Sequence, residues 1–267
     1  MPASDPTSDR EHNKATARVL RVLSAFVGNT EDFGVTELNQ RLGMTKNMVH
    51  RALTTLVEQG YLVRKAATGR YELGFRILEL QNFNQAEPDF RTLASPFMRQ
   101  IYELTGESVS LAVRAQDFSV FIDAVETRKL GAWRTRIGAL RPLHATTSGR
   151  VLLASLQDDD INAYAERRSP MRLSRPDGVM KAPDLWRAVH AIRQRGYEIA
   201  RRGVNPVMAA VAFPIEDSEG GLHGVIAVGG PEDRFDPDSN AIMPPLRALV
   251  DELRARTKLY ASETAGQ

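Results

Sequence analysis

Apolar residues recur with a helical period three times within the first sixty positions. Val19, Val22, Leu23 and Phe26 stand at i, i+3, i+4 and i+7, the spacing that gathers side chains on one face of an α-helix. Gly28 and Asn29 predict its end. Thr36 is placed as the N-cap of a second, shorter helix that carries Leu38 and Leu42 and stops at Gly43. Thr45 caps a third, in which Val49, Ala52, Leu53 and Leu56 repeat the spacing, and Gly60 closes it. Tyr61-Leu62-Val63 and Tyr71-Glu72-Leu73 are then β-prone runs flanking Arg64-Lys65-Ala66-Ala67-Thr68-Gly69-Arg70. Together they predict a hairpin with a basic, glycine-containing tip.

Beyond the hairpin, Phe75 to Leu80 continues the helical pattern as a linker helix, and Asn82 to Pro88 breaks it. A helix follows from about Asp89 to Thr105, with Leu93, Phe97, Ile101 and Leu104 on one side. The period then changes to two. Val109, Leu111 and Val113 alternate, Gln116-Asp117 turns the chain, and Phe118 to Val125 returns as a strand. Asp158 and Asp184 are read as the caps of two further helices, the second closed by Gly196. Strands over 207–215 and 222–229 are joined by a turn over 216–221, and a last helix starts at Pro244-Pro245 and runs to about Ser262. Hairpins interleaved with helices predict an α+β fold with an antiparallel sheet. The expected organisation is a disordered tail over 1–13, too polar to offset its ordering entropy, a winged helix-turn-helix domain over 14–73, a linker helix over 74–87, and a second domain over 88–264.

Charge sharpens the reading of the first domain. Residues 1–40 carry four Lys/Arg against six Asp/Glu, whereas 41–70 carry Arg41, Lys46, Arg51, Arg64, Lys65 and Arg70 against Glu58 alone. A solvated helix face could account for basic residues alone, but not for three cations at a hairpin tip. Three helices followed by a basic hairpin are the pattern of a winged helix-turn-helix, with the third helix as the reading element. At about 100° per residue, the face opposite Val49 and Leu53 presents Asn47, His50, Arg51 and Thr54, with Lys46 in the first turn. Asn suits adenine, Arg suits guanine or a phosphate, and Thr suits either kind of contact. Thr36, Thr45, Arg64, Lys65 and Arg70 complete the set expected to meet double-stranded DNA.

Composition narrows the rest. Of 267 residues, 42% are hydrophobic and 25% charged, enough to bury a core, and the absence of Cys excludes disulfides, thiolate metal sites and a Cys nucleophile. No apolar stretch approaches the roughly 20 residues of a membrane span, and the polar opening lacks a signal-peptide core, so a cytoplasmic chain without a membrane partner is expected. The five histidines are scattered, and no H-E-x-x-H, G-x-S-x-G, S-x-x-K, phosphate loop or G-x-G-x-x-G occurs. Asp158-Asp159-Asp160 reads as a helix start rather than a metal cluster, and His144 as a structural histidine. No catalytic residue, metal or cofactor is expected. An enzyme domain tethered to a DNA-binding head, and an interaction scaffold, remain as alternatives to a small-molecule sensor.

The order of several short motifs is similar to that of the IclR family of bacterial transcriptional regulators, from about His12 to Tyr260. The head carries Val35-Thr36-Glu37-Leu38 through Gly43, Val49-His50-Arg51-Ala52-Leu53, Gly60-Tyr61-Leu62 and Tyr71-Glu72-Leu73-Gly74. The second domain carries Pro142-Leu143-His144-Ala145, Gly149-Arg150, Leu152-Leu153-Ala154, Arg195-Gly196-Tyr197 and Gly229-Gly230-Pro231. The resemblance implies a GAF-like effector domain, self-association as a dimer or dimer of dimers through heads and linker helices, and regulation of a catabolic operon. It places effector-carboxylate contacts at the amides of Thr147 and Ser148, beside Leu143, where a helix N-terminus favours an anion. It places walls at Leu130, Trp133, Met208 and Arg141. Positions that carry polar side chains in keto-acid-binding members fall here on Ala200, Ala210, Ala227 and Gly229. A site short of hydroxyls and presenting Trp133 is expected to take a flat, aromatic carboxylic acid, with Arg201 or Arg141 meeting its charge. Asn47-Met48 replaces a common Ser-Thr pair, so the operator sequence is not carried over.

Overall fold

A computed structural model describes residues 14–27, 32–82, 90–173, 178–201, 207–216 and 221–264. The expected tail over 1–13, the helix stop at Gly28-Asn29, the break over 83–88, the pair Arg202-Gly203 and the turn residues 217–220 lie outside them. The chain forms two compact units, residues 1–87 and 88–267.

In the first unit, α1 (Lys14–Ser24), α2 (Val35–Leu42) and α3 (Lys46–Glu58) precede the short strands β1 (Leu62–Arg64) and β2 (Tyr71–Leu73) and the helix α4 (Arg76–Asn82). The apolar stripes meet as expected: Val22, Phe26, Leu38, Val49, Leu53, Leu56 and Leu62 form one buried core. Thr45 caps α3, its hydroxyl accepting from the Met48 N–H at 3.3 Å. Thr36, in contrast, is not a cap. Gly34 occupies that position, and the Glu37 carboxylate accepts from the Gly34 N–H at 2.9 Å. This leaves Thr36 inside the first turn, on the exposed side. Phe33 exchanges two 2.9 Å backbone hydrogen bonds with Tyr71, adding a third short extended segment to the hairpin.

The second unit is built on a six-stranded antiparallel sheet, order β5-β4-β3-β10-β9-β8. Its strands are β3 (Ser108–Ala115), β4 (Phe118–Val125), β5 (Leu140–Pro142), β8 (Glu198–Arg201), β9 (Met208–Glu216) and β10 (Leu222–Pro231). A two-stranded ribbon, β6 (Met171–Arg172) and β7 (Val179–Met180), stands apart from it. Helices α5 (Phe90–Thr105) and α9 (Met243–Thr264) cover one face, over a core containing Ile101, Leu111, Val211, Ile226, Phe235 and Leu253. Helices α6 (Thr147–Ala154), α7 (Asp158–Arg167) and α8 (Ala182–Arg195) cover the other, with Leu143, Leu152, Tyr164, Leu185 and Val189.

Several local expectations shift. The buried face of α5 is Ala94, Phe97, Met98 and Ile101, while Leu104 is exposed, because the sheet lies on the side that Met98 selects. Gln157 and Lys181, not Asp158 and Asp184, flank α7 and α8, and both aspartates sit in the first turn, where the helix dipole favours them. Gly196 closes α8 in the left-handed conformation at φ 79°. The two edge strands β5 and β8 were not expected from periodicity.

Candidate effector cavity and nucleic-acid face

Helix α6 is entered through a single 3-10 turn, Leu143–Ala145, and all eight of its residues are buried. Thr146 is its N-cap, with the hydroxyl accepting from the Gly149 N–H at 2.9 Å. The Arg150 N–H bonds to the Thr146 carbonyl, so the N–H groups of Thr147 and Ser148 are left without helical acceptors. Gly149 is required here, since a Cβ would stand 2.3 Å from the Leu143 carbonyl oxygen. Two polar links hold α6 in place. Arg150 Nε donates to Glu198 Oε1 at 2.6 Å, and Arg150 Nη1 donates to the His144 carbonyl at 3.1 Å, in a pair that is almost fully buried.

His144 is structural, as expected. Its Nδ1 lies 2.7 Å from the Tyr164 hydroxyl and its Nε2 2.9 Å from the Arg172 carbonyl oxygen. A carbonyl can only accept, so Nε2 carries the proton and Nδ1 accepts from Tyr164. Burial holds its pKa below the ordinary 6.5, opposed by the bond to Arg172.

The N-terminus of α6 opens on a cavity of about 360 Å³, mouth included, lined by Ser108, Ser110, Phe121, Trp133, Thr146, Thr147, Ser148, Ala210, Ala227, Val228 and Gly229. Register explains the floor. Ser108 lies opposite Gly229, and Gly229 opposite Ala210, while Ser110 lies opposite Ala227. Side chains on this row end at Cβ or one atom beyond, so the sheet here leaves room under α6. Phe121 and Trp133 supply aromatic walls, and no lining side chain is charged.

Of the residues expected at an effector site, Trp133, Thr147, Ser148, Ala210, Ala227 and Gly229 come together. Six do not line the cavity. Leu130 is 93% exposed, Leu143 is packed in the core beneath α6, and Met208 is buried at the start of β9, opposite Pro231. Ala200 continues the small-residue row beside Ala210 but lies on the edge strand. Arg201 pairs with Asp236, and Arg141 is exposed on β5, so neither guanidinium faces the cavity. The expectation of a site short of hydroxyls is also overturned, because β3 contributes Ser108 and Ser110. The signal for them was present: they alternate with Val109 and Leu111.

In the first unit, Lys46, Asn47, His50, Arg51 and Thr54 are all exposed along α3, and Thr45 stands beside them at the cap. The hairpin divides its cations. Among the described residues Arg64 pairs with no carboxylate; its Nε lies 3.5 Å from the Gly69 carbonyl. Lys65 Nζ lies 2.8 Å from Asp32 and 3.0 Å from Glu72. Arg70 pairs with Asp32 and reaches Glu37 at 2.7 Å. Hydrogen bonds from Lys65, then Arg70, hold the Asp32 carboxyl below its ordinary range. Lys65 and Arg70 therefore brace the hairpin through Asp32, with both side chains still partly exposed. Arg41 lies over the Phe33 ring at 5.2 Å.

Among the described residues no group of three or more His, Asp or Glu could hold a metal, and no helix is long and apolar enough to cross a membrane.

A helix-turn-helix head joined to a domain with a cavity at a helix N-terminus is the construction of a ligand-sensing DNA-binding protein. Comparisons with known proteins specify the family. Residues 15–66 match the IclR helix-turn-helix domain, and residues 86–255 match the bacterial transcriptional regulator IclR C-terminal domain. The chain belongs to the IclR family of DNA-binding transcriptional regulators. It is 28% identical over 227 residues to the HTH-type transcriptional regulator KipR of Bacillus subtilis, covering 85% of this chain and 89% of that protein. An IclR transcriptional regulator from Alicyclobacillus acidocaldarius shares the fold with a TM-score of 0.76 at 20% identity, over 92% of this chain and 98% of that one. An IclR homolog from Microbacterium hydrocarbonoxydans, complexed with 4-hydroxybenzoate, also gives 0.76, at 24% identity over 90% and 99% of the two chains.

Proposed function

We propose that the second unit senses a small aromatic carboxylic acid and that its occupancy alters operator binding by the head. The observation that carries this reading is the cavity at the N-terminus of α6. Unpaired amides of Thr147 and Ser148 suit a carboxylate, Phe121 and Trp133 suit a ring, and the row of Ser108, Gly229 and Ala210 gives a flat group clearance. With no cation in the lining, those amides are the natural partner of the ligand charge. The 4-hydroxybenzoate bound by the Microbacterium relative supports the same class of ligand.

For the head, α3 lies in the major groove with Asn47, His50, Arg51 and Thr54 toward bases. Lys46, Thr45, Thr36 and Arg64 take phosphates, and Asp32 fixes the hairpin through Lys65 and Arg70. Exposed Phe75, Leu78 and Leu80 on and beside α4 support self-association through this segment, which multi-angle light scattering would read as a dimer or larger. The central experiment is a thermal-shift and gel-shift pair. Benzoate at 100 times its dissociation constant stabilises by about 2.7 kcal/mol and changes the affinity for the DNA upstream of the chain's own gene. Tight binding of glyoxylate or pyruvate with no response to aromatic acids refutes the proposal.

A further inference from the structure

The cavity offers more hydrogen-bonding capacity than its own walls use. Ser110, Thr147 and Ser148 are 6%, 9% and 3% exposed, line the cavity, and have side-chain hydroxyls without a hydrogen-bond partner among the described residues. Ser108, 3% exposed, accepts from the Thr127 N–H at 3.3 Å and keeps its own hydroxyl hydrogen free to donate. These groups fall into two sets. Thr147 and Ser148 stand with the amides at the start of α6, whereas Ser108 and Ser110 stand on β3, opposite Gly229 and Ala227. A carboxylate held by the first set uses donors alone. The second set can both donate and accept, which suits a neutral hydroxyl rather than a second anion. A ligand that filled the cavity without such a group would leave the Ser110 hydroxyl desolvated and unpaired, a loss of roughly 5- to 150-fold in affinity.

We propose that Ser110, with Ser108 beside it, is a specificity-determining subsite for a hydroxyl on the ligand, so that the effector is a ring-hydroxylated aromatic carboxylate. This rests on the aromatic-acid reading above and adds a second recognition point to it. The sites discriminate because a buried hydroxyl that pairs with a ligand hydroxyl penalises the analogue lacking it.

The test is calorimetric titration of the full chain with benzoate and with 2-, 3- and 4-hydroxybenzoate, on the native protein and on Ser110→Ala. In the native protein at least one hydroxybenzoate should bind about tenfold or more tightly than benzoate. In Ser110→Ala that advantage should shrink to less than about threefold, while benzoate binds as well as before or better, which also reports an intact cavity. Equal binding of all four acids by the native protein overturns the subsite. So does an advantage that survives in Ser110→Ala. Those outcomes leave the aromatic-acid reading standing, because benzoate still binds. Failure of all four acids to bind refutes the aromatic-acid reading itself and the subsite with it.

Discussion

A buried ion pair, Arg150–Glu198, ties α6 to β8, and removing half of it is the most direct test of how the cavity is held. In Arg150→Met the side chain keeps most of its length, but Glu198, 6% exposed, loses the partner at 2.6 Å. Its Oε2 already lacks a hydrogen bond, so the carboxylate would have no donor on either oxygen and only the more distant charge of Arg195 to oppose its own. The His144 carbonyl also loses the guanidinium that holds it at 3.1 Å. Breaking one side of a buried pair costs about 3–5 kcal/mol. For a domain of this size each kcal/mol moves the midpoint by roughly 2–4 °C, so a fall of about 6–20 °C is expected. Differential scanning fluorimetry measures it, and Arg150→Met/Glu198→Leu should regain most of the loss, because a well-packed apolar pair replaces the ionic one. A single variant that melts within about 2 °C of the native protein would refute the reasoning. It would mean that α6 is positioned by its apolar packing alone.

Other consequences can be measured independently. Arg51→Ala should weaken operator binding by about 1–3 kcal/mol if the side chain reads a base, and an unchanged gel shift removes Arg51 from the interface. Gly229→Ala should fold normally, since the added methyl would meet nothing closer than 3.6 Å. It would stand on the cavity floor, however, and weaken benzoate binding by about tenfold through overpacking; unchanged affinity would show that ligand does not lie there. The pKa of His144 is lowered in the folded chain, so the unfolded chain binds the proton more readily. Its contribution is present above about pH 6.5 and is lost as pH falls toward the depressed value. His144→Gln should therefore be less stable near neutrality but show a flatter melting profile between about pH 7 and pH 5. An identical slope would assign the acid sensitivity to other groups.

The head was legible because its signals are local. Three apolar stripes at helical spacing, a Thr cap and glycine stops need only neighbouring residues to be interpreted. Its one misplaced cap is instructive: Gly34 has no side chain to advertise the helix start, and the bond from its N–H to Glu37 moves that start ahead of Thr36. The edge strands escaped notice because Leu140-Arg141-Pro142 and Glu198-Ile199-Ala200-Arg201 are too short to show alternation. The cavity was half visible. Resemblance located the start of α6 and the small residues of β9 and β10. Ser108 and Ser110 alternate with Val109 and Leu111, and in such a strand the apolar half is the stronger signal. Assigning a ligand role to Arg201 failed for a long-range reason, since Asp236, its partner, lies 35 residues further along.

The two faces of the central strands divide the work. Val109, Leu111, Val211 and Ile226 are fully or almost fully buried against the α5 and α9 side and supply the apolar burial that holds the sheet. Ser108, Ser110, Ala210, Ala227 and Gly229 on the other side give up that packing, and the space they leave is bounded by the one helix whose eight residues are all buried. Removing packed volume costs stability unless something occupies the space. A ligand that fills it therefore recovers contacts that the strands lack, and its charge must be met at the first turn of α6. The Arg150–Glu198 pair ties α6, the helix at that end of the cavity, to β8.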